Sequence, residues 1–305
     1  GDPNLSMLVV QQEGMGRTSA RDAVESAFDE FDFSLVICLG IAGSLTGDVS
    51  LCDVCYSYEI YDVYDNTKAY EGKDGELDIA FSPNHENCCE PIVAAINFIR
   101  TQPKLQDMYA EWQLEREAVA KASFPDAVVG RGGAPEKIAQ PKSKDCKVVC
   151  AAVSKSERYN KKIRDVDRKI FAIETESGGV MAALRRRKVE SLTIRGISDH
   201  ADFSKDQLEA STGGNIRSVA VGNAATFLKL QFSNPLFKSA VKRLRSLKVG
   251  DEQSLLPLAT PVKKDITTLI AECAESIEAK LRQLSPEFKL LEKGYRLPVP
   301  RMRNV

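Results

Sequence analysis

Short apolar, β-branched runs alternate along most of this chain with stretches whose apolar residues recur at helical spacing. The first run, residues 6–11, stops at Gly14-Met-Gly16 and reads as a strand, and residues 18–31 then follow a helical period. Residues 35–39 form a compact apolar strand ending at Gly40, as a buried parallel strand does, and residues 53–60 read as a third. Residues 64–84 turn polar and read as an excursion or irregular strand pair. Helices are predicted over 90–101 and 104–122, followed by a loop over 124–144 that carries Gly130-Arg-Gly-Gly133 and Pro125, Pro135 and Pro141. The alternation resumes with a strand at 147–153, a basic helix at 156–164, a strand at 169–173, a helix opening at Ser177, a strand at 191–197 and an apolar helix at 216–232. Strands alternating with helices predict an α/β fold, a doubly wound mixed or parallel sheet flanked by helices.

The pattern changes at Asn234. Basic residues cluster at 241–245, Pro257 and Pro261 interrupt the chain, and Asp265 opens a stretch with Ile266, Leu269, Ile270, Cys273, Ile277, Leu281 and Leu284 at helical spacing. The division expected is one α/β domain over 1–233 and a helical extension and linker over 234–305. The apolar face of that last helix needs a partner, which is the sheet domain, a second subunit or a further domain.

Composition narrows the partners. Forty-two basic residues nearly cancel 43 acidic ones, a net charge of -1, so no long-range field favours nucleic acid or an anionic membrane surface. No run approaches the roughly 18 consecutive apolar residues of a membrane helix, and the first residues lack a secretory pattern, so a cytoplasmic protein is expected. Cys52-Asp-Val-Cys55 has a metal-like spelling, but no second pair accompanies it, and residues three apart on a strand point to opposite faces. No metal and no cofactor are expected.

Candidate chemistry gathers where two apolar runs end in acids: Phe171-Ala-Ile-Glu-Thr-Glu-Ser-Gly-Gly179 and Leu192-Thr-Ile-Arg-Gly-Ile-Ser-Asp-His-Ala-Asp202. Carboxylates at the carboxyl ends of strands in an α/β sheet stand where ligands bind. Gly14, Gly16, Gly40 and Gly43 belong to two further strand-end segments, Glu13-Gly-Met-Gly-Arg-Thr-Ser19 and Gly40-Ile-Ala-Gly-Ser44, in which glycine lets backbone approach a ligand closely. Arg195, placed within a strand, needs a carboxylate partner, and Glu174 is the candidate. Asp199 follows its strand directly, where a carboxyl in a buried cleft can keep its proton near neutral pH.

In their order these four segments resemble the nucleoside phosphorylase/nucleosidase superfamily, whose members break the N-glycosidic bond of nucleosides. The resemblance ends near Ser233. It implies that Glu176, the second acid of Glu174-Thr-Glu176, binds the ribose hydroxyls and that Asp199, in a Ser198-Asp pair, protonates the purine. Substrate contacts are expected from Gly14, Gly16, Arg17, Gly40, Ile41, Ala42, Gly43, Glu174, Thr175 and Ser198. The resembling phosphorylases hold phosphate with an arginine and a serine at the places of Cys38 and Ile41, so water is the favoured nucleophile. The glutamate that activates water in the hydrolytic members belongs to a segment upstream of residue 6, and Glu13 is the candidate available to replace it. Thr175 stands where a methionine usually packs beneath the ribose, which leaves an altered sugar or 5′ group open. His200, Asp202 and the run Arg185-Arg-Arg-Lys188 read as structural or solvated.

The reading is hydrolysis of a purine, adenine-type, nucleoside or nucleotide. Domains resembling this one are also fused to larger signalling and defence proteins, so a nucleotide-depleting effector is one form it takes. The partners expected are the purine substrate, further copies of the chain in a dimer to hexamer, and a further fused or associated domain. The rivals are a phosphate-dependent phosphorylase and a catalytically silent nucleotide-binding module.

Overall fold

A computed structural model of the chain describes residues 6–72, 75–124, 126–187 and 189–249. Helix α1 (Arg17–Glu30) leads to strands β1 (Leu35–Ser44) and β2 (Val54–Asp62), a hairpin of β3 (Lys68–Glu71) and β4 (Leu77–Ala80), and β5 (Asn84–Asn87). Helices α2 (Glu90–Asn97) and α3 (Pro103–Ser123) precede a loop holding two-residue strands β6 (Val128–Val129) and β7 (Pro135–Glu136). Then follow β8 (Ser143–Cys150), α4 (Glu157–Arg164), β9 (Ile170–Glu174), α5 (Ser177–Leu184), β10 (Glu190–Asp199), α6 (Lys205–Ser211), α7 (Asn215–Gln231) and α8 (Pro235–Val249). Local chemistry explains several boundaries: the Ser156 hydroxyl accepts the Tyr159 N–H to cap α4, and proline occupies the first turn of α2 and α3, where no N–H is needed.

The sheet is mixed, in the order β10-β1-β9-β8-β2-β5, and a further β2–β10 pairing closes it on itself. β1 runs parallel to β10, and β8 runs parallel to β2 and β9, whereas β1–β9 and β2–β10 are antiparallel. A mixed sheet flanked by helices is what the alternating pattern predicts. Its closure is not, because periodicity carries no information about which strands pair. One predicted element fails: residues 6–11 pair with no strand among the described residues, although Met7 and Val9 are half-buried and Leu8 and Val10 exposed. The alternating pattern is present, but a strand also requires a neighbour's backbone to satisfy it.

Helix α7 covers the closed sheet, with Ile216, Val219, Ala224 and Phe227 packed among Tyr56 of β2 and Leu192, Ile194 and Ile197 of β10. The contact is close because position 196 has no side chain: a Cβ there would lie 1.9 Å from the Ala220 carbonyl oxygen. The segment divided off at Asn234 begins inside this same core. Asn234 Nδ2 donates to the Ala95 carbonyl at 2.9 Å, and Phe237 and Leu244 of α8 are buried with it. The helix predicted over 265–284 lies outside the described residues.

Helix α1 meets α5 at Gly179, where a Cβ would fall 1.8 Å from the Arg17 carbonyl oxygen. Gly179→Ala must push these helices apart and is expected to destabilise the fold by about 1–3 kcal/mol, as overpacked cores do. Urea unfolding checks this, and an unchanged midpoint would disprove so tight a contact.

Candidate active site

Strand β1 stands between the two acid-bearing strands. Its Gly43 is register neighbour of Asp199 on β10 and of Ile173 on β9, so Glu174 to Glu176 leave one flank of a glycine-containing strand and Asp199 the other. The register shifts between Ala42 and Gly43, a local irregularity of the kind that re-aims side chains beside sites.

Glu174 is buried and fully occupied. It accepts the backbone N–H groups of Glu176, at 3.0 Å, and of Ser177, also at 3.0 Å, as well as the Ser177 hydroxyl and Arg195 Nη2. It thereby caps the first turn of α5 and neutralises the strand arginine, which is the pairing the sequence suggests. Burial pushes the Glu174 carboxyl up from the ordinary glutamate value, and the Arg195 guanidinium pulls it back. Arg195 Nη2 also lies 3.0 Å from Cys38 Sγ and 3.5 Å from Glu176 Oε2. Desolvation pushes the Cys38 thiol up to about 12, so it stays a thiol beside the guanidinium.

Gly40 makes room for this pair. A Cβ at position 40 would stand 2.1 Å from Arg195 Nη1, so the guanidinium crosses β1 through the space the glycine leaves.

Glu176 is half-buried and faces the first glycine turn: Gly16 donates its N–H to Oε1 at 3.2 Å, and the Thr175 hydroxyl donates to the same oxygen. Gly16 adopts φ 100, a left-handed conformation that glycine allows without strain. Glu13, Gly14 and Met15 just before it are exposed, Met15 by 74%. Arg17, expected to contact substrate, is held by two carboxylates: Asp62 at 2.8 Å through Nε and Asp65 at 2.7 Å through Nη2. Asp62 Oδ1 also accepts the N–H of Tyr64 at 3.2 Å. Tyr64 is 43% exposed, and partial desolvation first, then Cys150, Tyr159, Glu174 and Glu176, push its phenol up to about 12. Sequence reasoning missed Tyr64, Asp62 and Asp65; the signal available was an Asp-Val-Tyr-Asp run at the carboxyl end of β2.

Asp199 is 3% exposed. Its Oδ1 accepts the Ala201 N–H at 2.8 Å, and its Oδ2 lies 3.0 Å from the Ser198 hydroxyl and 3.1 Å from Lys205 Nζ. An ammonium and a hydroxyl therefore face this buried carboxyl. Ala201 takes φ 52, a conformation that costs a non-glycine residue roughly 1–3 kcal/mol and that clusters at functional sites. Gly43 makes room for this turn, since a Cβ there would lie 2.8 Å from Asp199 Oδ1. Ala42 is buried and its carbonyl is 3.4 Å from the Ser198 hydroxyl, while Ile41 is half-buried.

The neighbouring polar groups serve as supports. His200 Nε2 pairs with Glu136 at 2.6 Å, Arg131 reaches His200 Nδ1 at 3.3 Å and the Ser44 hydroxyl at 2.8 Å, and Asp202 accepts the Gly132 N–H at 2.8 Å. Arg185 pairs with Glu86 at 2.7 Å. A cleft of about 300 Å³ lies outside the two acids, lined by Thr46, Arg131, Arg164, Asp202 and Phe203 among others. Among the described residues no group of three or more His, Cys, Asp or Glu is arranged to hold a metal ion, and no helix is long and apolar enough to cross a membrane.

The closed mixed sheet, its helical layers and the acids at its strand ends make this a nucleoside phosphorylase/nucleosidase-like domain. Residues 5–230 match the model of the phosphorylase superfamily, and the chain belongs to that family. Similar solved structures include the 5′-methylthioadenosine/S-adenosylhomocysteine nucleosidase of Colwellia psychrerythraea 34H, in complex with adenine (18% identity, 76% of each chain covered, TM-score 0.49). Another is the corresponding enzyme of Neisseria meningitidis in complex with methylthio-immucillin-A (17% identity, 71% of this chain and 77% of that one, TM-score 0.47). A third is the futalosine hydrolase of Helicobacter pylori strain 26695 (17% identity, 71% and 75%, TM-score 0.45). No curated protein sequence matches the chain.

Proposed function

We propose that this chain hydrolyses the N-glycosidic bond of a purine nucleoside or nucleotide, with adenine as the base and water as the nucleophile. Glu176 holds the ribose hydroxyls and stabilises the oxocarbenium-like sugar, and Asp199 passes a proton to the departing base. The observation that carries the choice of water is the charge around Glu176. Four carboxylates, Glu174, Glu176, Asp62 and Asp65, surround two guanidiniums, Arg17 and Arg195, both of which are paired to them. The cluster is net negative by two charges, and an attacking phosphate finds no unpaired cation in it. Cys38 and Ile41, in place of the arginine and serine of the resembling phosphorylases, agree with this. Adenine enters through the family resemblance, and Glu13 remains the candidate to activate water, close in sequence to the Gly16 turn that touches Glu176.

Assembly into a homo-oligomer, attachment of residues 234–305 to a further module, and a nucleotide-depleting effector role belong to the same proposal. Incubating the full chain with adenosine, AMP, methylthioadenosine and guanosine, with and without phosphate, tests it by chromatography of the free base. Release without phosphate, giving free ribose or its 5′-substituted form, is expected. Release that requires phosphate and yields the sugar 1-phosphate would make the protein a phosphorylase, and no release from any substrate would leave a binding module.

A further inference from the structure

The reaction sketched above gives no part to the ammonium of Lys205, which touches Asp199 directly. It opens α6, it is largely buried, and its Nζ lies 3.1 Å from Asp199 Oδ2. Asp206, next along the same helix, is taken by Lys155, whose Nζ lies 2.6 Å from Asp206 Oδ2. Lys205 turns inward instead, toward a carboxylate whose other oxygen is occupied by the Ala201 N–H. The backbone is arranged to permit it: Ala201 takes its left-handed turn, and the Asp202 carbonyl accepts the Lys205 N–H at 3.3 Å as the chain enters α6.

We propose that Lys205 supplies, through Asp199, the proton that the departing base takes up. The inference rests on the hydrolytic reading. Of the groups that touch the Asp199 carboxyl, the Ser198 hydroxyl and the Ala201 amide are neutral donors, and the Lys205 ammonium is the cationic one with a transferable proton. As the C–N bond breaks, its electron pair passes to the base nitrogen. A proton moves from Lys205 Nζ to Asp199 Oδ2 and one moves from Asp199 to the base. Water forms the new C–O bond and gives its proton to the activating base, for which Glu13 is the candidate, and from there to solvent, and the neutral Lys205 amine recovers a proton from solvent. The net change is nucleoside plus water to sugar plus base, with no other reactant. Lys205 touches Asp199 rather than the substrate, so it acts as a positioning and proton-supplying partner of that acid.

Three variants of the full chain assayed on adenosine test this: Lys205→Met, Lys205→Arg and the double variant Asp199→Asn/Lys205→Met, each with its thermal midpoint recorded. Lys205→Met is expected to lower kcat by about 100-fold, at the low end of what proton transfer contributes, with KM nearly unchanged. Lys205→Arg keeps the positive charge, but its guanidinium does not give up a proton at neutral pH, so it should not restore kcat. The double variant should be no slower than Asp199→Asn alone, because residues acting as one unit are not additive. A wild-type rate retained by Lys205→Met, full rescue by arginine, or a double variant slower by the product of the single effects would overturn the relay while leaving hydrolysis intact. A wild-type protein inert on every nucleoside would overturn hydrolysis, and the relay with it.

Discussion

Asp199→Asn is expected to lower base release by about 10²–10⁴-fold, the range that a positioned proton donor contributes. The substitution keeps the shape of the side chain, and an amide oxygen can still accept the Ala201 N–H now bound at 2.8 Å. What it removes is the ability to take up and pass on a proton. The loss should therefore fall on kcat, with KM nearly unchanged, while the melting temperature falls modestly because Lys205 loses its carboxylate partner. Initial rates on adenosine at saturation provide the measurement. Activity retained within tenfold of wild type would show that the base leaves without help from this residue, and attention would pass to the adjacent His200 and its partner Glu136 on β7.

The second large effect concerns stability. Arg195→Leu should destabilise the protein by about 3–5 kcal/mol, because it leaves Glu174 as a buried charge without its cation. Glu174 is 4% exposed and would retain only its bonds from the first turn of α5. Urea denaturation of the single variant and of Arg195→Leu/Glu174→Gln separates charge from packing. Glutamine in the double variant should return a substantial part of the loss, since it removes the uncompensated charge while keeping an acceptor for the α5 amides. A single variant as stable as wild type would mean that Glu174 takes up a proton without penalty and that the pair contributes little.

How far this site could be read from the chain depended on sequence distance. The Glu174–Arg195 pair was legible because both residues stand on short apolar runs, where a charge demands a partner, and few candidates were available. The acids at the ends of β9 and β10 were legible for the same reason: the apolar pattern stops and carboxylates begin. The two carboxylates that hold Arg17 were not legible because they lie 45 and 48 residues away, in a turn whose position follows from strand pairing alone. Lys205 was hidden similarly: an exposed-looking lysine at a helix start gives no hint that the preceding turn folds its ammonium back onto Asp199. Residues 6–11 show the opposite failure, a good strand pattern without a ladder. Glycine was ambiguous throughout, since the same residue type makes room for a ligand, a helix or a guanidinium, and only the neighbouring atoms decide which.

The crossing of Arg195 over Gly40 makes positions 40, 174 and 195 a single interlocking part. No one of them can change alone without a clash, an unpaired acid or an empty channel through the sheet. Relatives that differ here should differ at all three together, so a comparison of divergent members would register them as one covarying character. An engineer reshaping the pocket would have to exchange the trio as a cassette.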